Sequence, residues 1–159
     1  MNPRLAVLAI TLAMSALAAK KPVAPIEYPN FRVVPTSCDV AWATAVRVVT
    51  NAGFIPQSSD KTGGVLSLKW GKGDIGYPQA TREVKAYTKT KPGALTTYMQ
   101  LRIEPSSMLF AAEGQGCRVQ MNIPYSGYRQ GMTGKGFVML ESNGRLESEA
   151  LAKIAEELK

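Results

Sequence analysis

The chain has 159 residues, with 19 Lys and Arg against 12 Asp and Glu, no histidine, and a formal net charge of +7. A hydrophobic content of 45% with 19% charge is that of a folded chain, which excludes general disorder. Without histidine, Ser-His-Asp and Cys-His catalysis are excluded and the commonest metal ligand is missing.

Residues 1–19 read as a cleaved export signal. Arg4 supplies the positive start, Leu5 to Met14 is apolar apart from Thr11, and Ala16-Leu17-Ala18 or Leu17-Ala18-Ala19 offers small residues for cleavage. A retained anchor needs about 20 apolar residues, whereas this stretch stops at Lys20 and Lys21. Lipoprotein processing needs a cysteine at the cleavage point, and the nearest is Cys38. The expected location is therefore periplasmic or secreted, with no membrane span after processing. Residues 20–30 are rich in proline, which fixes φ and removes donors, so an extended linker is expected there. Residues 31–159 suit one domain.

A strand is expected at Phe31 to Val34. Thr36 then caps a helix with Asp39 in its first turn. Cys38, Ala41, Trp42, Ala45, Val48, Val49 and Ala52 make its apolar stripe, with Asp39, Thr44, Arg47 and Asn51 elsewhere. Gly53 followed by Phe54 ends it in a left-handed stop. Strands follow at Phe54 to Gln57 and Val65 to Trp70 across a turn in which Asp60 and Thr62 bond the backbone and Gly63 or Gly64 takes positive φ. Alternation predicts further strands at Glu83 to Lys89, at Leu95 to Ile103 with Thr96, Tyr98, Gln100 and Arg102 outward, and at Cys117 to Tyr125. Ser107 to Ala112 and Phe137 to Leu140 add two more. A last helix spans Arg145 to Leu158, with Glu149 and Lys153 as an i to i+4 pair.

The predicted fold class is α+β: an antiparallel sheet of about five to six strands with two helices on one face, in the order β-α-β-β-β-β-β-α. Cys38 and Cys117 both point inward. In an oxidising compartment this favours a Cys38 to Cys117 disulfide over two separate buried thiols.

From Asp39 to Trp70 the chain carries a helix with Trp42, then Gly53-Phe54, Ser59-Asp60-Lys61-Thr62-Gly63, and a strand ending in Trp70. This order resembles the repeat domain of the BamC (NlpB/DapX) family of outer-membrane assembly lipoproteins. The resemblance implies a helix-grip fold and an envelope setting. Members of that family are anchored at an N-terminal cysteine and carry two such domains, features this chain lacks. The matched residues themselves have structural roles in the turn and helix stop.

No catalytic site is expected. Asp39, Asp60 and Asp74 sit where caps and turns want them, and neither CxxC nor HExxH spacing occurs, so no metal or other cofactor is expected. Two glycine-rich segments, 71–78 and 126–136, read as mobile or partner-contacting loops. Gly134-Lys135 is not a phosphate loop, because Gly136 replaces Ser or Thr and Arg129 replaces the first glycine. The outward residues Lys85, Tyr87, Lys89, Tyr98, Gln100, Arg102, Arg118 and Gln120, with Tyr128, Arg129 and Lys135 from the second loop, are the candidate binding set. Cations with aromatic rings suit anionic polymers.

Basic residues outnumber acidic ones 15 to 7 over residues 20–140 and fall to 3 against 5 beyond, giving a basic body and an acidic tail. Outside the cytoplasm the partner of such a body is an envelope protein or an anionic envelope polymer rather than nucleic acid. The expected function is a non-catalytic, exported envelope protein that binds another envelope component. The alternatives are a carrier for an apolar ligand between sheet and helix, and an inhibitor or modulator of a secreted enzyme.

Overall fold

The helix that follows the first strand forms as its stripe dictates. In the computed structural model, which describes residues 28–93, 95–132 and 134–159, β1 (Phe31–Val34) leads into α1 (Cys38–Ala52). Ala41, Ala45, Val48 and Val49 are buried, and so is Thr44, which the sequence placed off the stripe. The cap is Ser37 rather than Thr36: its side chain accepts from the Val40 N–H at 3.5 Å. Asp39 instead pairs with Lys61 at 2.8 Å. Gly53 ends the helix at φ +109°, and Phe54 is buried behind it. The signal segment and residues 20–27 lie outside the described residues. Residues 28–30 of the expected linker are held against the domain, since Tyr28 N–H donates to Asn143 O and Met121 N–H to Asn30 O.

β2 (Phe54–Asp60) and β3 (Val65–Trp70) form the predicted hairpin, three residues longer on its first strand. Asp60 Oδ1 accepts from Gly63 N–H at 2.8 Å, and Gly64 sits at φ +68° with its carbonyl accepting from Phe110 N–H at 2.8 Å. An added Cβ at Gly64 meets the Phe110 carbonyl. Gly64→Ala is expected to cost about 1–3 kcal/mol, as enforced left-handed backbone does. The urea midpoint should fall with an unchanged m-value, and an unshifted midpoint refutes the assignment.

The chain continues through β4 (Ile75–Gly76), α2 (Gln79–Tyr87), β5 (Thr97–Ile103), β6 (Ser106–Glu113), β7 (Gly116–Asn122), β8 (Tyr125–Gly131), β9 (Gly134–Leu140) and α3 (Arg145–Glu157). The fold is α+β, but its strands divide into two antiparallel sheets, β1-β7-β6-β3-β2 and β4-β5-β8-β9. Both late passages between sheets carry a proline: Pro105 lies between β5 and β6, and Pro124 between β7 and β8. Proline cannot donate to a ladder, so each marks a corner where pairing stops and the chain changes sheet. The predicted strand Cys117 to Tyr125 is thus two strands in different sheets.

Three further expectations are corrected. Glu83 to Lys89 is helical up to Tyr87: Ala80, Val84 and Thr88 are buried at spacings of four, and Thr88 closes the last turn onto the Val84 carbonyl. In β5 the register skips between Tyr98 and Gln100, so Met99 is an extra residue that flips the alternation. Tyr98 is consequently buried with Leu101 and Ile103, while Met99 is exposed. In α3, Glu149 pairs with Arg145 at 2.9 Å rather than with Lys153.

α1 and α3 pack side by side on the five-stranded sheet, and α2 packs on β5 of the other. The Cys38–Cys117 disulfide, with an S–S distance of 2.04 Å, staples α1 to β7. Such a bond marks an oxidising compartment. Among the described residues no helix is long and apolar enough to cross a membrane.

Candidate functional site

The candidate binding residues do not share one face. Lys85 and Tyr87 lie on α2 and Lys89 just beyond it, while Tyr98 is in the core. Arg118 and Gln120 belong to the five-stranded sheet, Gln100, Arg102, Tyr128, Arg129 and Lys135 to the four-stranded one. Arg118 stacks 3.9 Å from the Phe31 ring and lies 3.6 Å from Glu113. Arg102 grips Asp74 through Nη2 at 2.9 Å and Nε at 3.1 Å, and Gln100 donates to the same carboxylate. These bonds raise the Arg102 pKa further, first through the hydrogen bond and then through the charge of Asp74. Two arginines assigned to anion binding are thereby occupied within the fold.

Lys85 and Lys89 do meet, with Lys91, Arg145 and Tyr28, around an open cleft of about 460 Å³. Lys89 bonds Glu141 at 2.6 Å and Arg145 bonds Glu149, so two of the four cations at this cleft are already paired.

The two glycine-rich segments converge elsewhere. The second forms most of the β8–β9 hairpin, whose tip carries Met132 at 86% exposure. Beside it stand Leu95 at 69%, Tyr77 of the first segment at 60%, and Met99, around an open depression of about 600 Å³. Phe137 and Met139 of β9 are exposed as well, with the Tyr128 ring centred 5.2 Å from Phe137 and the Arg102 guanidinium 4.9 Å over it. Arg129 and Lys135 of the same hairpin are exposed and have no ion-pair partner among the described residues. The sequence signal for this surface was the unbroken apolar run 137–140. It suggests a strand buried on both sides, yet β9 is an edge strand with its outer face bare.

A third feature is a cleft of about 480 Å³ between the end of β3, α2 and the inner face of the four-stranded sheet. Trp70, Tyr87 and Tyr125 line it, with Lys72, Asp74 and Glu83 among its polar groups. Trp70 Nε1 and the Tyr125 hydroxyl are buried with no hydrogen-bond partner. Burial above all, then the charge of Glu147, pushes the Tyr125 phenol far up. Burial and then the charges of Glu149 and Glu83 raise Tyr87 against the opposing Arg145. Both phenols therefore keep their protons at neutral pH and serve as donors rather than bases. Among the described residues no group of three or more Cys, Asp or Glu is placed to hold a metal.

No family model matches the chain, and no curated protein matches it. The functional reading rests on the chemistry of these three surfaces.

Proposed function

We propose that this protein is a non-catalytic, exported envelope protein that docks on another envelope protein through the apolar surface where its two glycine-rich segments meet. The observation that carries this is the convergence of the exposed Tyr77, Leu95, Met99 and Met132 around one depression. Scattered exposed apolar residues need no explanation, but a contiguous patch marks an interaction surface. Unbranched Met side chains adapt to a partner's relief. The uncompensated Arg129 and Lys135 favour an acidic rim on that partner. The signal-like segment supports export, and the likeness of residues 39–70 to the BamC family supports the envelope setting.

The test is a photo-crosslinking side chain at position 132, with position 107 on the other sheet as control, in intact envelopes. A discrete adduct at 132 alone is expected. Leu95→Ser with Met99→Ser should reduce its yield about tenfold, as loss of an apolar hot spot does. Equal labelling at both positions refutes the assignment.

A further inference from the structure

We infer that the cleft between α2 and the inner face of the four-stranded sheet binds a small organic carboxylate with an apolar body. Its volume of about 480 Å³ falls in the range of roughly 300–1,000 Å³ typical of small-molecule sites. Buried polar atoms are nearly always paired. Among the described residues both of the unpartnered buried side-chain polar atoms, Trp70 Nε1 and the Tyr125 hydroxyl, belong to residues lining this one cleft. Tyr125 is 1% exposed, so its hydroxyl has no recourse to bulk water.

The class of ligand follows from what the cleft leaves unused. An indole N–H can only donate, and a protonated phenol donates readily. Lys72 lies 5.4 Å above the Trp70 ring and has no ion pair among the described residues. Asp74 is held by Arg102 and Gln100, and Glu83, which keeps its charge, accepts from Gln79 at 3.3 Å. Lys72 and the two donors together form the complement of a monoanion carrying acceptor oxygens. Ile75, Leu101, Ile103 and Leu146 supply apolar wall for the body of such a molecule. A polyphosphate would need more cations than the cleft holds, and a neutral hydrocarbon would leave the donors orphaned. In the bound state the carboxylate pairs with Lys72 and the Trp70 N–H, and the Tyr125 hydroxyl donates to the ligand from the floor.

The chain has two tryptophans, so its ¹⁵N spectrum contains two indole signals, with Trp42 on α1 as internal control. We would titrate the oxidised protein with 4-phenylbutyrate and, in parallel, 4-phenylbutanol. The Trp70 indole signal should shift saturably with the acid while that of Trp42 stays. Lys72→Met, at an exposed position, should weaken the acid about tenfold and leave the alcohol within about twofold, the signature of a charge-assisted bond. Tyr125→Phe should weaken the acid several-fold. A Trp70 signal unmoved by either compound overturns the site. An alcohol that binds as tightly as the acid overturns the carboxylate assignment. Cross-linking at position 132 is independent of both results.

Discussion

Reducing the Cys38–Cys117 bond is expected to lower the unfolding free energy by about 4 kcal/mol. The cysteines are 79 residues apart, and cross-linking a loop of that length removes about 4–5 kcal/mol of denatured-state entropy in the chain-entropy model, an upper figure. Domains of this size have about 5–15 kcal/mol in total, so the staple accounts for a large share. Its position strengthens the effect. Cys117 is fully buried on β7 opposite Val34 of β1, and Cys38 opens α1, so the bond joins the start of the first helix to the interior of the larger sheet. Urea unfolding of the oxidised protein, the reduced protein and the Cys38→Ala/Cys117→Ala variant measures it. The reduced and Ala forms should agree, with melting temperatures lower by roughly 8–16 °C. A loss under about 1 kcal/mol would falsify the entropic account and place the bond among strained or redundant cross-links.

That staple was legible because two local signals coincided. The stripe from Cys38 to Ala52 fixed one inward direction and the alternation from Cys117 to Met121 fixed the other, each with its own cap or period. Where a single signal stood alone it misled. Val84, Ala86 and Thr88 alternate like a strand, yet Ala80, Val84 and Thr88 are also spaced for a helix. The nine residues of α2 have no side-chain cap to break the tie, since Pro78 precedes them. The extra residue at Met99 has no composition of its own, so the swap of Tyr98 into the core and Met99 out of it depends on pairing with β8. Pro105 and Pro124 were visible, but reading them as changes of sheet needs the topology. The candidate surfaces share that difficulty. Burial of Trp70 Nε1 and the apolar exposure of Phe137 are consequences of which strands become neighbours, which residue type alone does not encode.

Replacing Glu147 should be the most damaging substitution of a charged side chain among the described residues. The side chain is 2% exposed in the first turn of α3 and fully engaged: Oε1 accepts from Ile123 N–H at 3.2 Å, Oε2 from the Ser142 hydroxyl at 3.0 Å. Ser142 Oγ in turn accepts from Gly144 N–H at 3.0 Å. Gly144, at the cap position, has no side chain to offer, so this acid both complements the helix dipole and satisfies the amide at the corner where the chain leaves the five-stranded sheet. Glu147→Ala orphans the wholly buried Ile123 N–H and opens a void, with an expected cost of about 2–4 kcal/mol. Glu147→Gln keeps the shape and one acceptor, and its amide can donate to a rotated Ser142 hydroxyl, so about 1 kcal/mol is expected.

The Gln variant also carries a pH signature. Burial raises the Glu147 carboxyl above its ordinary value of 4.5, against the lowering bonds from its own backbone, Ser142 and Ile123. A raised folded-state pKa means that the folded chain holds the proton more tightly than the unfolded chain. The contribution is therefore fully present below the unfolded value and is lost as pH rises through the folded one. The unfolding free energy of the native chain should decline relative to that of Glu147→Gln as pH rises from about 4.5. All other carboxylates are common to both proteins and cancel in the difference. Tyr125, whose phenol feels the charge of Glu147, keeps its proton across this range because its own pKa is raised. Parallel urea curves at several pH values measure the difference. A pH-independent gap between the two proteins means that Glu147 titrates alike folded and unfolded, and its burial then carries no ionisation cost.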